Sequence, residues 1–180
     1  MQNIISNLIK EFNVIEIDGG KDKTITEESK TIILTSTQNQ KNNEEKNYIS
    51  MDLGECENIL KRNYNIQNNN SLYILQIISG EEGMKIPKLE YEVYYPLYNN
   101  NNLTKLNLSL CKDTKIEISI SVQINDSLDK YNPKSDYYND ICSKATSDSG
   151  TDISLKDRKN EYINNNKALC QDGCDFSKYD

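Results

Sequence analysis

The five cysteines are the residues of this sequence best suited to covalent chemistry: Cys56, Cys111, Cys142, Cys170 and Cys174. A Cys-x3-Cys pair at Cys170 and Cys174, without a histidine or a second pair, is a poor metal site. In an oxidising compartment the five positions are candidate disulfide halves, whereas in a cytosolic protein they would be reduced thiols. An odd count leaves at least one cysteine free or paired outside the segment.

The local patterns are compatible with a bridge between Cys56 and Cys111, and they leave the connectivity of the five cysteines open. Cys56 lies on one face of a predicted helix, and Cys111 ends a predicted strand. A disulfide closing a loop of this length would stabilise the fold by about 4 kcal/mol through chain entropy.

The sequence contains no histidine. This removes Ser–His–Asp and Cys–His catalysis, together with most zinc sites. None of the 28 acidic residues stands in an apolar context that would raise its pKa, and no glycine-rich phosphate loop is present. We therefore predict a protein that is not an enzyme, with no catalytic residue and no cofactor.

An acidic neighbourhood near the C-terminus offers the hard oxygen ligands that calcium prefers: Asp136, Asp140, Asp148, Asp152 and Asp157. The spacing of an EF-hand is not met, because Gly150 falls in the wrong place for the loop. Turn and helix-cap chemistry by Asp and Ser is the simpler interpretation. We predict no metal site.

Four Asn-x-Ser/Thr sequons make Asn69, Asn102, Asn107 and Asn125 candidates for N-glycosylation. Their number is not informative, since a chain with 25 Asn residues would contain about three or four such triplets by chance. The positions of the four asparagines are compatible with glycosylation. Asn107 falls on the solvent face of a predicted strand, and the other three fall in predicted turns.

Charge and hydropathy limit the classes of partner. A formal net charge of −7, with lysines scattered among acids, argues against a nucleic-acid partner, because such binding needs a positive face. No stretch approaches the roughly 20 apolar residues of a membrane span. Met1–Val14 is amphipathic and lacks the continuous apolar core of a signal peptide. Any secretion signal or anchor is expected outside these residues.

Three successive segments with period-2 alternation are the clearest structural signal: Lys88–Tyr95, Lys105–Leu110 and Lys115–Val122. They predict an antiparallel meander with one buried face. Thr31–Thr37 and Tyr73–Ile78 are further predicted strands. Together they predict a mainly β fold with a few short helices and a sandwich-like, Ig-like domain.

Helical patterns occur at Asn3–Phe12, Gly54–Tyr64 and Leu155–Ile163. Ser154 is the predicted N-cap of the third helix, with Asp157 at the third helical position in place of the usual Glu of a capping box.

The predicted organisation has three parts. Residues 1–37 form an N-terminal arm or helix–strand segment, residues 48–145 a β-rich domain, and residues 146–180 the start of a small cysteine-stabilised module. Gln38–Asn47, rich in Asn and Lys, is the predicted linker or mobile loop between the first two.

The chain resembles a group of uncharacterised, Asn- and Lys-rich, cysteine-containing surface proteins of protists. The phrases that carry the resemblance are Asp52–Asn58, Glu82–Lys88, Lys105–Cys111, Tyr137–Cys142 and Ser147–Arg158. The resemblance implies an extracellular location, with further cysteines and a membrane anchor beyond this segment and an outside partner for Cys170 or Cys174. It implies no catalytic residue.

Two functions from different classes follow as expectations. The first is an extracellular structural or adhesive module that self-associates into a coat or fibre, with residues 1–37 pairing with a neighbour by strand addition. The alternative is a receptor-type module for a sugar or protein ligand, bound in a pocket lined by Tyr94, Tyr98, Tyr137 and Tyr138. Expected partners are therefore proteins or carbohydrate. An intracellular Asn-rich scaffold is a third reading.

Overall fold

The computed structural model describes residues 2–27, 30–44, 49–80, 86–97, 102–120, 128–147, 149–164 and 174. The chain forms two compact units. The first combines Met1–Ser79 with Leu89–Ser121, and the second combines Gly80–Lys88 with Val122–Asp180. This division differs from the predicted one, since residues predicted as an N-terminal arm belong to the main sheet of the first unit.

The described residues form a mixed α/β fold with short helices. The strands are β1 Lys23–Glu27, β2 Lys30–Ser36, β3 Ser50–Asp52, β4 Tyr73–Ser79, β5 Lys88–Tyr95, β6 Thr104–Lys105 and β7 Glu117–Ser119. The α-helices are α1 Gln2–Lys10, α2 Val14–Asp18, α3 Thr37–Glu44, α4 Glu55–Asn63, α5 Asp136–Asn139 and α6 Leu155–Asn164. Leu108–Cys111 and Leu128–Tyr131 are 3-10 helices.

The main sheet has five strands in the order β1-β2-β4-β5-β6. β1 pairs with β2, β2 with β4, and β5 with β6, each pair antiparallel. Successive side chains of a strand point to opposite faces. Leu34 and Leu75, which are register partners, therefore lie on one face, and Ile33 and Gln76 lie on the other.

The first face of the sheet is covered by the N-terminal helices. Its core consists of Leu8, Phe12, Ile17, Ile32, Leu34, Tyr73, Leu75, Tyr94 and Leu103. The predicted amphipathic helix is confirmed as α1, whose Leu8 is 5% exposed. Asn13 caps α2 by accepting a hydrogen bond from the Ile15 backbone N–H at 3.1 Å, as a good N-cap residue does.

The second face of the sheet is covered by α4. Its core consists of Met51, Leu53, Cys56, Leu60, Ile66, Leu72, Ile74, Leu89, Val93, Leu106 and Cys111. The predicted helix Gly54–Tyr64 is confirmed, with acids in its first turn and Lys61 and Arg62 in its last, which complements the helix dipole. Helices thus pack on both faces of the sheet, and a sandwich-like, Ig-like arrangement is not confirmed.

The predicted meander is confirmed in its first antiparallel pair, β5 with β6, and is wrong beyond it. β5 coincides with the predicted Lys88–Tyr95, but the second predicted strand, Lys105–Leu110, is a strand only at Lys105. Asn107 then accepts a hydrogen bond from the Ser109 backbone N–H at 3.0 Å and caps a 3-10 helix. β7 pairs with β3, with Met51 opposite Ile118, and forms a separate two-stranded sheet. Val122 lies outside the described residues.

The predicted linker Gln38–Asn47 is also wrong where the structure describes it, because residues 37–44 form α3. The Asn39 backbone N–H donates to the Ser36 hydroxyl at 3.2 Å and starts the helix. Asn39 and Gln40 are only 4% and 2% exposed. Their side chains are hydrogen-bonded inside the first unit, which offsets the cost of burying them.

The second unit has a small core of Tyr137, Tyr138 and Ala145, against which Ile153 packs. The predicted capping of α6 is confirmed. The Ser154 hydroxyl accepts from the Asp157 backbone N–H at 3.2 Å and donates to the Asp157 carboxylate at 2.6 Å. Local sequence therefore determines the start of this helix.

Candidate functional site

The predicted disulfide is present. Cys56 and Cys111 are bonded, with their Cα atoms 5.2 Å apart, and both are buried. The bridge joins α4 to the 3-10 helix that follows β6. Cys142 and Cys174 are exposed free thiols, so their role as disulfide halves stays a prediction, and Cys170 lies outside the described residues.

Three of the four glycosylation candidates are accessible. Asn69, Asn102 and Asn107 are exposed, whereas Asn125 lies outside the part of the chain that the structure describes. Asn107 was expected on a strand and instead caps a 3-10 helix. The side-chain oxygen Oδ1 of Asn107 makes that contact. A cap of this kind leaves the side-chain nitrogen, where a glycan attaches, outside the interaction.

The expected tyrosine-lined pocket is wrong for the residues that the structure describes. Tyr94 is 5% exposed and belongs to the core of the first unit. Tyr137 and Tyr138 are 7% and 3% exposed and form the core of the second unit. Tyr98 is not among the described residues. These phenols are packing groups, since the large apolar ring outweighs the single hydroxyl.

Two buried phenols act as structural hydrogen-bond donors. Tyr73 donates to both carboxylate oxygens of Asp18, at 3.2 and 3.1 Å, and Tyr94 donates to Glu92. Burial first, and the neighbouring carboxylate second, raise the pKa of each tyrosine above its ordinary range. Both hydroxyls therefore keep their protons at neutral pH.

The C-terminal acids serve turns and helix ends. The Asp140 carboxylate accepts from the Cys142 backbone N–H at 2.8 Å, and Asp157 completes the cap of α6. Asp148 lies outside the described residues. Within the described ranges, no three Cys, Asp or Glu side chains come together as a metal site.

A pocket of about 420 Å³ lies against the second face of the main sheet, over strands β1, β2 and β4. It is lined by Asp22, Thr24, Thr31, Ile33, Gln40, Ile49, Gln76 and Ile78. The register explains the grouping. Thr24 lies opposite Ile33 and Ile33 opposite Gln76, which forms one row across three strands, while Thr31 lies opposite Ile78 in the next row.

Two glutamines form the polar floor of this pocket. Gln40 Oε1 accepts from the Met51 backbone N–H and from Gln76 Nε2, both at 2.9 Å. Gln40 Nε2 donates to the Thr35 hydroxyl at 3.2 Å. A backbone N–H can only donate, so the Gln40 atom that faces Met51 must be oxygen. The Gln76 atom that faces this oxygen must then be nitrogen, and neither amide can be flipped.

The remaining amide atom of Gln76 is consequently an acceptor oxygen. Gln76 is 1% exposed, and its Oε1 has no hydrogen-bond partner among the residues that the structure describes. Leaving a buried acceptor unpaired costs about 1–3 kcal/mol. Unpaired buried acceptors are rare in folded proteins. This oxygen therefore marks a place where a donor would be stabilised.

Asp22 supplies the negative charge of the pocket. One of its carboxylate oxygens accepts from Asn39 Nδ2 at 2.7 Å, and Asn39 Nδ2 also donates to the Ile17 carbonyl at 2.8 Å. The buried Asn39 amide thus fixes the Asp22 carboxylate next to the first residue of β1. An ionised carboxylate has about four acceptor positions, so this contact leaves it able to accept from a ligand.

A second pocket of about 450 Å³ lies near the other end of the sheet and is lined by Tyr91, Glu92, Lys105, Leu106, Asn107, Leu108 and Ser109. Its two charges are already paired, because Lys105 and Glu92 form an ion pair. It contains no buried unpaired polar atom in the described part of the chain. The glutamine-floored pocket is the better candidate site.

Comparison with protein-family models, curated proteins and solved structures finds no match for this chain. In the described residues, no helix combines the length and apolar character needed to cross a membrane.

Sequence reasoning did not identify Asp22, Gln40 or Gln76. One signal was available, since Gln76 is the single amide in the otherwise apolar segment Tyr73–Ile78. A lone amide in a buried strand needs a hydrogen-bond partner. Its partner Gln40 stands 36 residues away, inside a segment whose composition predicted a linker.

Proposed function

We propose that this chain is a non-enzymatic, extracellular binding module of a cell-surface protein, and that it is of the receptor type. The observation that carries the proposal is the pocket on the main sheet. Its lining includes Gln76, whose Oε1 is buried and unpaired among the described residues, together with Asp22 and three isoleucines. This is the combination of apolar wall and few oriented polar groups that is typical of ligand sites.

The extracellular part of the proposal is supported by the Cys56–Cys111 bridge. Structural disulfides form and persist in oxidising compartments and are rare in cytosolic proteins. The three exposed sequons, Asn69, Asn102 and Asn107, are available for glycosylation in such a compartment.

A structural or adhesive role, with self-association into a coat or fibre, is the second candidate. One observation favours it. Among the strands that the structure describes, β1 pairs only with β2 and is an edge of the main sheet. An edge strand offers backbone donors and acceptors to another chain. In this candidate the partner is a second copy or a neighbouring surface protein.

The two candidates are separated by blocking the pocket. Thr24→Arg places a long cation at an exposed lining position of β1. Thr26→Arg adds the same charge at an exposed position of the same edge strand that does not line the pocket. Binding of the disulfide-intact chain, displayed on beads, to cells of its natural source should fall for Thr24→Arg and persist for Thr26→Arg. Equal binding by both variants, with concentration-dependent oligomers in sedimentation velocity, would favour the structural candidate instead.

The location is tested by intact mass of protein purified from its natural source, before and after glycosidase and reductant. We expect a mass change on glycosidase treatment and a reductant-sensitive bridge that peptide mapping assigns to Cys56 and Cys111. Five free thiols together with no glycan shift would contradict the extracellular proposal and favour the intracellular scaffold.

A further inference from the structure

We infer that the pocket on the main sheet binds an alkylammonium group, that is, a protonated primary amine on a short apolar stem. This inference rests on the proposed binding function and specifies the ligand of the same site. Its basis is the match between the hydrogen-bonding groups of the pocket and those of an ammonium ion.

The polar groups of the pocket are mainly acceptors. Gln40 Oε1 accepts from the Met51 backbone N–H and from Gln76 Nε2, which fixes the orientation of the Gln76 amide. Gln76 Oε1 is therefore an acceptor. The Asp22 carboxylate is an acceptor, and Thr24 and Thr31 add hydroxyl oxygens. A primary ammonium has three donors and no acceptor, so its hydrogen-bonding groups are complementary to the acceptors that line the pocket. The carboxylate supplies a charge-assisted bond, which is the strongest kind available here.

The apolar part of the pocket matches a short stem. Ile33, Ile49 and Ile78 supply aliphatic surface, and a volume of about 420 Å³ is ample for an ammonium with a few methylenes. Each buried methylene contributes about 0.8 kcal/mol. The same arrangement of charged head and aliphatic stem occurs in a lysine side chain.

Other ligand classes fit the pocket less well. None of the described residues that line it is cationic, so an anion would meet only Asp22 and a set of acceptors. None of them is aromatic, so the flat face of a sugar ring finds no ring to stack on. A neutral sugar would also bring its own acceptor oxygens against those of the pocket.

Two sources carry the proposed group: a free small amine and a lysine side chain of a protein. n-Pentylammonium represents the first, and N-acetyl-lysine N-methylamide represents the second. n-Pentanol is the neutral control of matched length. Binding is followed on the disulfide-intact full chain by the methyl NMR signals of its isoleucines, since Ile33, Ile49 and Ile78 line the pocket and Ile15 is an exposed residue outside it.

We expect n-pentylammonium to shift the methyl signals of the three pocket isoleucines and not that of Ile15, and n-pentanol to bind more weakly. Asp22→Asn retains the oxygen that accepts from Asn39 and removes the charge, so affinity should fall roughly 10-fold or more. Glu27→Gln removes the same charge at an exposed position of β1 outside the pocket and should leave affinity unchanged. Gln76→Met, checked for retained fold by circular dichroism, should also weaken binding.

N-acetyl-lysine N-methylamide, the second probe, distinguishes a protein lysine from a free small amine as the source of the ammonium group. Binding of both amines identifies a pocket that also admits a protein lysine, and binding of n-pentylammonium alone identifies a free small amine. Either result supports the inference. Equal affinity for n-pentanol, equal losses for Asp22→Asn and Glu27→Gln, or no shift with either amine would overturn it. If the Thr24→Arg block still abolishes cell binding in that case, the binding function stands and only the ligand class is wrong.

Discussion

Arg158 donates from Nη1 to the backbone carbonyl of Tyr137 at 2.8 Å, and its guanidinium carbon lies 5.5 Å from the centre of the Tyr137 ring. The same nitrogen reaches the carbonyls of Ser143 at 3.2 Å and Asp140 at 3.4 Å. Arg158 is 2% exposed. A single side chain of α6 therefore holds the end of α5 and the turn after it, with cation–π attraction adding to the hydrogen bonds.

Replacing Arg158 should destabilise the second unit. Arg158→Met leaves the Tyr137 carbonyl without this donor, at a cost of about 2–3 kcal/mol for a buried acceptor. Arg158→Lys should also destabilise, because an ammonium lacks the planar fork of a guanidinium. Hydrogen exchange of the α5 amides measures the effect. Lys159→Met, at the exposed neighbouring position, is the control, and equal exchange in both Met variants would contradict the role given to Arg158.

Removing the Cys56–Cys111 bridge should lower the free energy of unfolding of the first unit by about 4 kcal/mol, because the open chain regains the entropy of a loop of 55 residues. The measurement is urea unfolding of the double variant Cys56→Ala, Cys111→Ala beside the parent chain. Cys142→Ser, which replaces an exposed free thiol, should leave the urea midpoint unchanged. A bridge that added nothing would give all three proteins the same midpoint.

Two ion pairs on α4 should differ in their contribution to stability. Lys61 and Glu57 are 2.7 Å apart, with side chains 7% and 13% exposed, and Glu57 also accepts from the Thr37 hydroxyl at 3.0 Å. Lys61→Met leaves the Glu57 carboxylate buried without its cation, so unfolding should become easier by about 3 kcal/mol.

The matched control is the exposed pair on the same helix. Arg62 and Glu55 are 2.8 Å apart with side chains 68% and 57% exposed, so Arg62→Met should cost less than about 1 kcal/mol. Urea unfolding of the two Met variants gives the comparison. Similar midpoints would show that burial does not distinguish the pairs.

Local sequence was sufficient to predict several elements. Ser154 and Asp157 stand three residues apart, and the Ser154 hydroxyl accepts from the Asp157 backbone N–H, which is the N-cap contact that this spacing predicts. β5 alternates in sequence and is a strand over the predicted residues. In these cases the signal lies within one turn or one strand, so composition and spacing contain it.

Non-local pairing could not be predicted in the same way. β7 alternates like a meander strand, yet its partner is β3, with Met51 opposite Ile118. Alternation predicts which face is buried and does not specify which strand lies alongside. The Gln40–Gln76 contact has the same character. The polar run that contains Gln40 predicts a loop, and nothing within the run shows that the buried Gln76 Nε2, 36 residues away, donates to Gln40 Oε1.

The edge formed by β5 and β6 should weaken in acid. Burial alone would raise the pKa of Glu92, but hydrogen bonds donated by Lys105 and Tyr94 outweigh it and lower the pKa below the ordinary value. A lowered folded-state pKa adds stability above the pKa of the unfolded chain, about 4.3, and this contribution is lost as the pH falls through the folded-state value. Urea unfolding from neutral pH to below about 4 should therefore show a shallower loss of stability for Glu92→Gln than for the parent chain. Glu27→Gln is the control at an exposed position, and an unchanged slope in Glu92→Gln would refute the assignment.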